Sequence, residues 1–218
     1  MIIVGIDQSL TATGVCIRKG EFSYEVLVLE TKKMRGIGRV DWIVKAFEQL
    51  FDSCLTAEDM KGIVGVREGY SYNSKGRSSS MCENGELVGC LDLLFHRRSL
   101  PLYVIPPANH KKFFFGNGAV NKKDKKLYLS MVYQQCGIAF KDDNEADSYI
   151  LTETMQTIIA IVNGEKSASS LSNPQREALI PKSIRKKAGI TDKGLQSLAD
   201  EGYASLLEDA MLKFYKRH

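Results

Sequence analysis

The first seventeen residues constrain this chain most. Ile2, Ile3, Val4 and Ile6 form an apolar run that reads as a buried strand, and Asp7 ends it. A carboxylate at the end of a core strand has lost much of its water and needs a partner, usually a cation. Gln8-Ser-Leu-Thr-Ala-Thr-Gly14 is small and polar and reads as a tight connection. Val15, Ile17 and then Glu25-Val-Leu-Val-Leu-Glu30 return to strand character. The order is strand, acid, hairpin, strand, strand. On residues 1–30 alone, a plain turn-capping role for Asp7 competes with the cation-binding one.

Further along, Ile43, Val44, Phe47, Leu50, Phe51 and Cys54 recur at helical spacing and predict an amphipathic helix from Gly38 to Leu55. Trp42 is expected at its edge. Gly62-Ile-Val-Gly-Val-Arg-Glu68 predicts a short strand that again ends on an acid. Residues 68–80 are a polar, Gly/Ser-rich loop carrying Tyr70, Tyr72, Lys75 and Arg77. A helix from Glu83 to Arg98 and a strand over Leu102–Ile105 follow, the strand closed by Pro106-Pro107. Asn121 is the expected cap of the next helix, with Asp124 at its third position, and Gly137 its stop. Lys141-Asp-Asp-Asn-Glu-Ala-Asp147 opens a helix that is apolar along one side as far as Val162. Ser167–Pro174 reads as a linker. Arg176, Lys182, Arg185, Lys186 and Lys187 cluster beyond it, and a final helix is expected over Leu195–Tyr215. The division is a domain over 1–165 and a basic helical C-terminal extension over 166–218.

At 218 residues the chain is long enough for one α/β domain plus an appendage. A net charge of +4 and a pI near 8.7 permit nucleic-acid binding without singling it out. No run of 18 apolar residues exists, so no membrane span is expected. The start lacks the basic segment and cleavage site of a secretory signal. The 5 cysteines are scattered without C-x-x-C spacing, which gives neither a zinc site nor a disulfide framework and suits a reducing cytoplasm.

Asp7 and Glu68 end two strands. If these are neighbours in one sheet, both acids project from the same edge. On the late helix Asp147 shares a face with Asn144 and Asp143. Carboxylates brought together repel unless a metal neutralises them. Hard oxygen ligands without a His or Cys cluster point to Mg²⁺ or Mn²⁺. Two such ions can clamp a phosphodiester, one activating water and the other stabilising the leaving oxygen. His96 and His110 are solitary and read as structural or incidental.

The arrangement resembles the RuvC family of Holliday-junction resolvases, within the RNase H-like superfamily. The matching segments are Gly5-Ile-Asp7 with Thr13-Gly14, Val66-Arg-Glu68, Gly116-Asn-Gly118-Ala-Val-Asn-Lys122, and Asn144-Glu-Ala-Asp147-Ser. They span roughly residues 1–162. The Lys111 to Lys122 segment looks most like members carried by phages.

The resemblance implies an RNase H-like α/β fold, a mixed five-stranded sheet flanked by helices. It implies that Asp7, Glu68 and Asp147 hold two Mg²⁺, with Mn²⁺ able to substitute. The family's fourth ligand sits three residues before the last Asp, where this chain has Asn144; Asp143 is the rival. The implied activity is endonucleolytic cleavage of four-way DNA junctions by paired nicks, leaving a 3′-hydroxyl and a 5′-phosphate. Lys111 and Lys122 match functional basic positions near the scissile phosphate. Tyr70 and Tyr72 lie where relatives place an aromatic that stacks on junction bases. Lys75, Arg77, Lys112, Lys123 and the 182–187 cluster are expected on phosphates. A homodimer follows from the junction's near two-fold symmetry, with the Glu83–Arg98 helix at its interface. The alternatives are an RNase H-like nuclease acting on RNA–DNA hybrids or flaps, and a non-catalytic DNA-binding module. An actin-like ATPase shares the strand start but needs a second similar domain.

Overall fold

The computed structural model describes residues 1–20, 23–53, 56, 62–69, 78–116 and 124–216 (side chains at 53, 78–81 and 214 excepted). β1 (Ile2–Asp7), β2 (Ala12–Lys19), β3 (Ser23–Glu30), β4 (Ile63–Glu68) and β5 (Leu102–Ile105) form one sheet in the order β3-β2-β1-β4-β5. β1 pairs antiparallel with β2 and parallel with β4, and β4 pairs parallel with β5. This is the mixed five-stranded α/β sheet expected. α1 (Ile37–Ser53) connects β3 to β4, and α2 (Ser78–Arg97) precedes β5. α3 (Pro107–Phe115), α4 (Lys125–Cys136) and α5 (Asp143–Val162) follow. Among the described residues no helix is long and apolar enough to cross a membrane.

Strand alternation sorts the core into two layers. Ile2, Val4, Ile6, Val15, Ile17 and Ile63 pack with α1 and α2 through Val40, Ile43, Phe47, Leu87, Leu91 and Phe95. Ile3, Val64 and Val66 face the other way, onto Leu151, Met155 and Ile158 of α5. Asp7 shares parity with Ile3, and Glu68 with Val66. Both acids therefore belong to the face that α5 covers.

α5 lies unusually close to that face. A Cβ on Gly5 would come 2.2 Å from Thr152 Oγ1 and 2.4 Å from the Ser148 carbonyl oxygen. One on Gly14 would come 2.1 Å from the Asn144 carbonyl oxygen. Asn144, Ser148 and Thr152 are spaced by one helical turn, so a single ridge of α5 rests on two glycines of neighbouring strands. The hydroxyls on that ridge are satisfied within the helix: Thr152 Oγ1 donates to the Ser148 oxygen at 2.8 Å, and Ser148 Oγ to the Glu145 oxygen at 2.9 Å.

The C-terminal segment forms α6 (Asn173–Leu179), α7 (Lys182–Lys187), α8 (Asp192–Gln196) and α9 (Asp200–Ala210), then a wide turn over Met211–Tyr215. Leu179, Leu195, Tyr203 and Tyr215 join the α5 core, and Lys216 bridges back to Tyr103 on β5.

Several boundaries differ from expectation. The β1–β2 connection is shorter, since β2 starts at Ala12. Pro107 opens α3 instead of closing a strand, because its fixed φ and missing N–H suit a first helical position. Asp124 is the cap of α4, accepting from Leu127 N at 3.1 Å; Asn121 lies outside the described residues. The Ser167–Pro174 linker is packed: Ala168 and Leu171 are buried, and Ser169 N donates to Asp200 Oδ1 at 2.9 Å. The final helix is divided into α8 and α9. Arg176 Nη2 donates to the carbonyls of Leu195 at 3.1 Å and Leu198 at 2.6 Å, taking acceptors that a continuous helix would use internally.

Gly14→Ala should cost about 1–3 kcal/mol, since its methyl meets helix backbone with no side chain free to rotate away. Denaturant titration measures this. Stability equal to the parent's would mean that α5 does not rest on β2 this closely.

Candidate active site

Asp7 ends β1 opposite Gly14 on β2, and Gly14 is where the Asn144 backbone rests. The contact that seats α5 therefore also sets the first turns of α5 beside Asp7. Asp147 lies one turn further along and is 1% exposed. The start of α5 is tightly specified. Asp142 Oδ1 accepts from Asn144 N at 3.0 Å and Glu145 N at 2.9 Å, while Glu145 Oε2 accepts from Lys141 N at 2.8 Å.

Glu68 follows Arg67, whose register partner on β1 is Ile6, so Glu68 and Asp7 end adjacent strands side by side. The Glu68 carbonyl is held from two directions. Gln8 Nε2 donates to it at 2.7 Å and Arg67 Nη1 at 3.1 Å. Arg67 is buried on the opposite face, where its guanidinium grips Asp92 of α2 through two bonds, 2.7 and 2.9 Å long.

α3 brings two more groups. Lys111 Nζ lies 3.7 Å from Glu68 Oε1 and 4.0 Å from Asp147 Oδ2, so one ammonium stands between the two acids. His110 is fully buried, with Nε2 3.6 Å from Glu68 Oε1. α4 contributes Tyr128, fully buried, whose hydroxyl donates to Asp147 Oδ1. Burial raises the Tyr128 pKa first, and the charges of Asp7, Glu68 and Asp143 raise it further, so the phenol stays a protonated donor. The Tyr128 hydroxyl thus meets Asp147 directly and feels the charges of Asp7, Glu68 and Asp143. Asp143 also pairs with Lys125 Nζ at 2.8 Å.

These are hard oxygen donors in a water-poor setting, the chemistry that suits a divalent ion such as Mg²⁺. Glu68 Oε1 is buried and, among the described residues, accepts no hydrogen bond. No three His, Cys, Asp or Glu groups among the described residues are gathered closely enough to hold a metal as they stand. Like charges repel, and Lys111 lies between Glu68 and Asp147.

No family model and no curated protein matches this chain. Solved structures do. Thermus thermophilus RuvC superposes with a TM-score of 0.51 at 18% identity, covering 70% of this chain and 91% of that one. T. thermophilus RuvC in complex with Holliday junction substrate gives 0.50 at 20% identity, over 70% and 90%. This chain has a RuvC-like fold. A Fowlpox virus resolvase in complex with Holliday junction DNA aligns over 73% of this chain and 99% of its own, at 11% identity and a TM-score of 0.43, too low to add to that.

The RuvC-like core brings Lys111 between Glu68 and Asp147, with Asp7 at the end of the strand beside Glu68 and Asp143 one turn before Asp147 on α5. Asn144 enters through its backbone, against Gly14. Lys112 points elsewhere, pairing with Glu177 of α6 at 2.7 Å. Tyr70, Tyr72, Lys75, Arg77, Lys122 and Lys123 lie outside the described residues. The basic cluster is only partly a surface. Arg176 and Arg185 are buried, Arg176 over the Tyr203 ring at 4.6 Å and Arg185 against Asp192, while Lys182, Lys186 and Lys187 are exposed. Guanidinium groups can satisfy several buried carbonyls or stack on rings, which lysine cannot do as well.

Sequence reasoning did not place Tyr128 in the site. His110, expected to be structural or incidental, is buried against Glu68. Tyr128 carried one signal: with Val132 it marks, at i and i+4, the apolar face of α4.

Lys111→Met should leave Glu68 and Asp147 facing each other without their shared cation. Unfolding measured in EDTA should lose about 1 kcal/mol, a typical figure for a single ion pair. No change would show that the ammonium does not offset their repulsion.

Proposed function

We propose that this protein is a metal-dependent endonuclease that cleaves branched DNA, resolving four-way junctions by paired nicks. What supports the reading is that Asp7 and Glu68 end neighbouring strands of a RuvC-like sheet on the face that α5 covers, with Lys111 between Glu68 and Asp147 of α5. A solved neighbour supports the choice of substrate: T. thermophilus RuvC is seen in complex with a Holliday junction substrate.

Asp7, Glu68 and Asp147 would hold divalent ions, with two Mg²⁺ as the preferred set and Mn²⁺ as substitute. When bound, such ions activate water and stabilise the leaving oxygen of a phosphodiester. The chain's own groups do the rest. Lys111 offsets the repulsion between Glu68 and Asp147, and its ammonium can then meet a phosphate oxygen. Gln8 and Arg67 anchor the backbone of Glu68. The buried setting excludes bulk water and strengthens each charge interaction.

Residues 1–165 carry the chemistry in this reading, and residues 166–218 buttress α5 and present Lys182, Lys186 and Lys187 to phosphates. Lys75, Arg77, Lys122 and Lys123 would contact the DNA backbone. Tyr70 and Tyr72, following directly after Glu68, would stack on unpaired bases at the junction centre, at about 1–3 kcal/mol per base. Two cuts related by the junction's symmetry require two sites, hence a homodimer. α2, with Leu93 exposed, is the proposed contact surface.

The test uses a labelled immobile four-way junction and a matched linear duplex, each with Mg²⁺ or Ca²⁺. The parent should cut the junction in Mg²⁺ and leave the duplex intact. Asp7→Asn should lower cleavage at least about a hundredfold, as expected when about 3 kcal/mol of charge stabilisation is lost. Junction binding should persist, since the basic contacts survive. Near-parental cutting by Asp7→Asn would remove the metal reading.

Asn144 and Asp143 compete for the remaining ligand position. Asp143 already engages Lys125, which favours Asn144. Asn144→Asp should keep or raise cleavage, and Asp143→Asn should be mild. A dead Asp143→Asn beside an indifferent Asn144→Asp would assign the ligand to Asp143.

A further inference from the structure

We infer that Tyr128 is a positioning residue for the metal-binding carboxylate of Asp147: its hydroxyl engages one carboxylate oxygen and so determines how the other is presented. The inference rests on the metal-dependent nuclease reading above and adds a residue to it.

The tyrosine has little freedom. It lies in the first turn of α4, where its N–H bonds to the Asp124 oxygen at 3.0 Å. Its ring packs at 5.8 Å and 55° against Phe115, in a cluster with Cys16, Val132, Ala146 and Ile150. Ala146 and Ile150 belong to α5, so the ring is packed against the same helix that carries Asp147. A ring confined in this way delivers its hydroxyl to one place. That place is Asp147 Oδ1.

A carboxylate otherwise rotates readily about its last torsion, which has broad, roughly two-fold wells. With Oδ1 engaged by Tyr128, Oδ2 is the oxygen on the Lys111 side, 4.0 Å from Nζ. Glu68 Oε1 lies on the same ammonium at 3.7 Å. The lysine thus marks a spot where a cation meets Asp147 Oδ2 and Glu68 Oε1 together.

The choice of donor matters. A lysine or arginine on Oδ1 would neutralise Asp147 and weaken its hold on a second cation. A phenol orients the carboxylate and leaves its negative charge in place. Hydrogen bonds to ligating carboxylates of this kind tune metal sites, and removing them typically costs about 10–100-fold in affinity.

Tyr128→Phe removes the hydroxyl and keeps the ring and its packing. Mn²⁺ binding is measured by calorimetry on the full chain without DNA, beside Asp147→Asn and, as a control, Tyr133→Phe on the exposed side of α4. Melting in EDTA is recorded for each. Tyr128→Phe should weaken Mn²⁺ binding about 10–100-fold. The Mn²⁺ concentration for half-maximal junction cleavage should rise by the same factor. Asp147→Asn should remove that binding, and Tyr133→Phe should match the parent. If Tyr128→Phe binds Mn²⁺ like the parent while Asp147→Asn does not, the tyrosine is only core packing and the inference falls, with the metal reading intact. If Asp147→Asn also binds like the parent, the metal reading itself fails. A lowered melting point for Tyr128→Phe with unchanged affinity counts against the inference, because a purely structural hydroxyl gives that pattern.

Discussion

The site depends on the close seating of α5 against two glycines. Side chains normally stand between a helix and the sheet beneath it. Here Gly5 and Gly14 offer none, and the backbone of Asn144 and the Ser148 and Thr152 positions descend onto β1 and β2. Asp7 is paired with Gly14 across the hairpin, so the lowest point of the helix coincides with the acid that ends β1. Asp147, one turn on, then has no room to avoid its neighbours. The packing energy of a long buried helix, with Leu151, Met155 and Ile158 against Ile3 and Val66, offsets the cost of confining carboxylates there.

That confinement leaves an electrostatic problem, which the chain answers in graded ways. Lys111 sits between Glu68 and Asp147, Lys125 pairs with Asp143, and Tyr128 donates to Asp147 without cancelling its charge. Arg67 also stabilises the site, but from the far face of the sheet, through Asp92 and the Glu68 carbonyl. Under the proposed function this is a state ready to accept cations. The acids are assembled and oriented, and the lysine that now separates them has a phosphate to meet once metal takes its place.

Part of this is legible in the sequence. Asp7 and Glu68 each end an apolar run, so they share a sheet edge if those strands are neighbours, and a helix opening near Asp142 puts Asp147 on a face with Asn144 and Asp143; the grouping of the three acids as metal ligands comes from the RuvC resemblance. What could not be read is what tertiary packing alone decides. A glycine in a strand does not announce which helix will touch it. Tyr128 and His110 look like ordinary residues until α3 and α4 fold over the sheet edge. Arg176 and Arg185 looked like a basic surface because sequence counts charge and not its destination; both are buried to satisfy backbone and an acid. Pro107 reads as a stop in the sequence yet opens α3, since a proline ends one element and begins another equally well.

The most direct test of the account is a crystal of this protein soaked in Mn²⁺, with anomalous diffraction used to locate the ion. Density about 2.0–2.5 Å from oxygens of Asp7 or Glu68 and from Asp147 Oδ2, the usual range for hard cations on carboxylates, is the predicted result. Lys111 Nζ should have moved out of the space between Glu68 and Asp147, and the Tyr128 hydroxyl should remain on Oδ1. A lysine still in place, with no anomalous density among these acids at saturating Mn²⁺, would contradict the account.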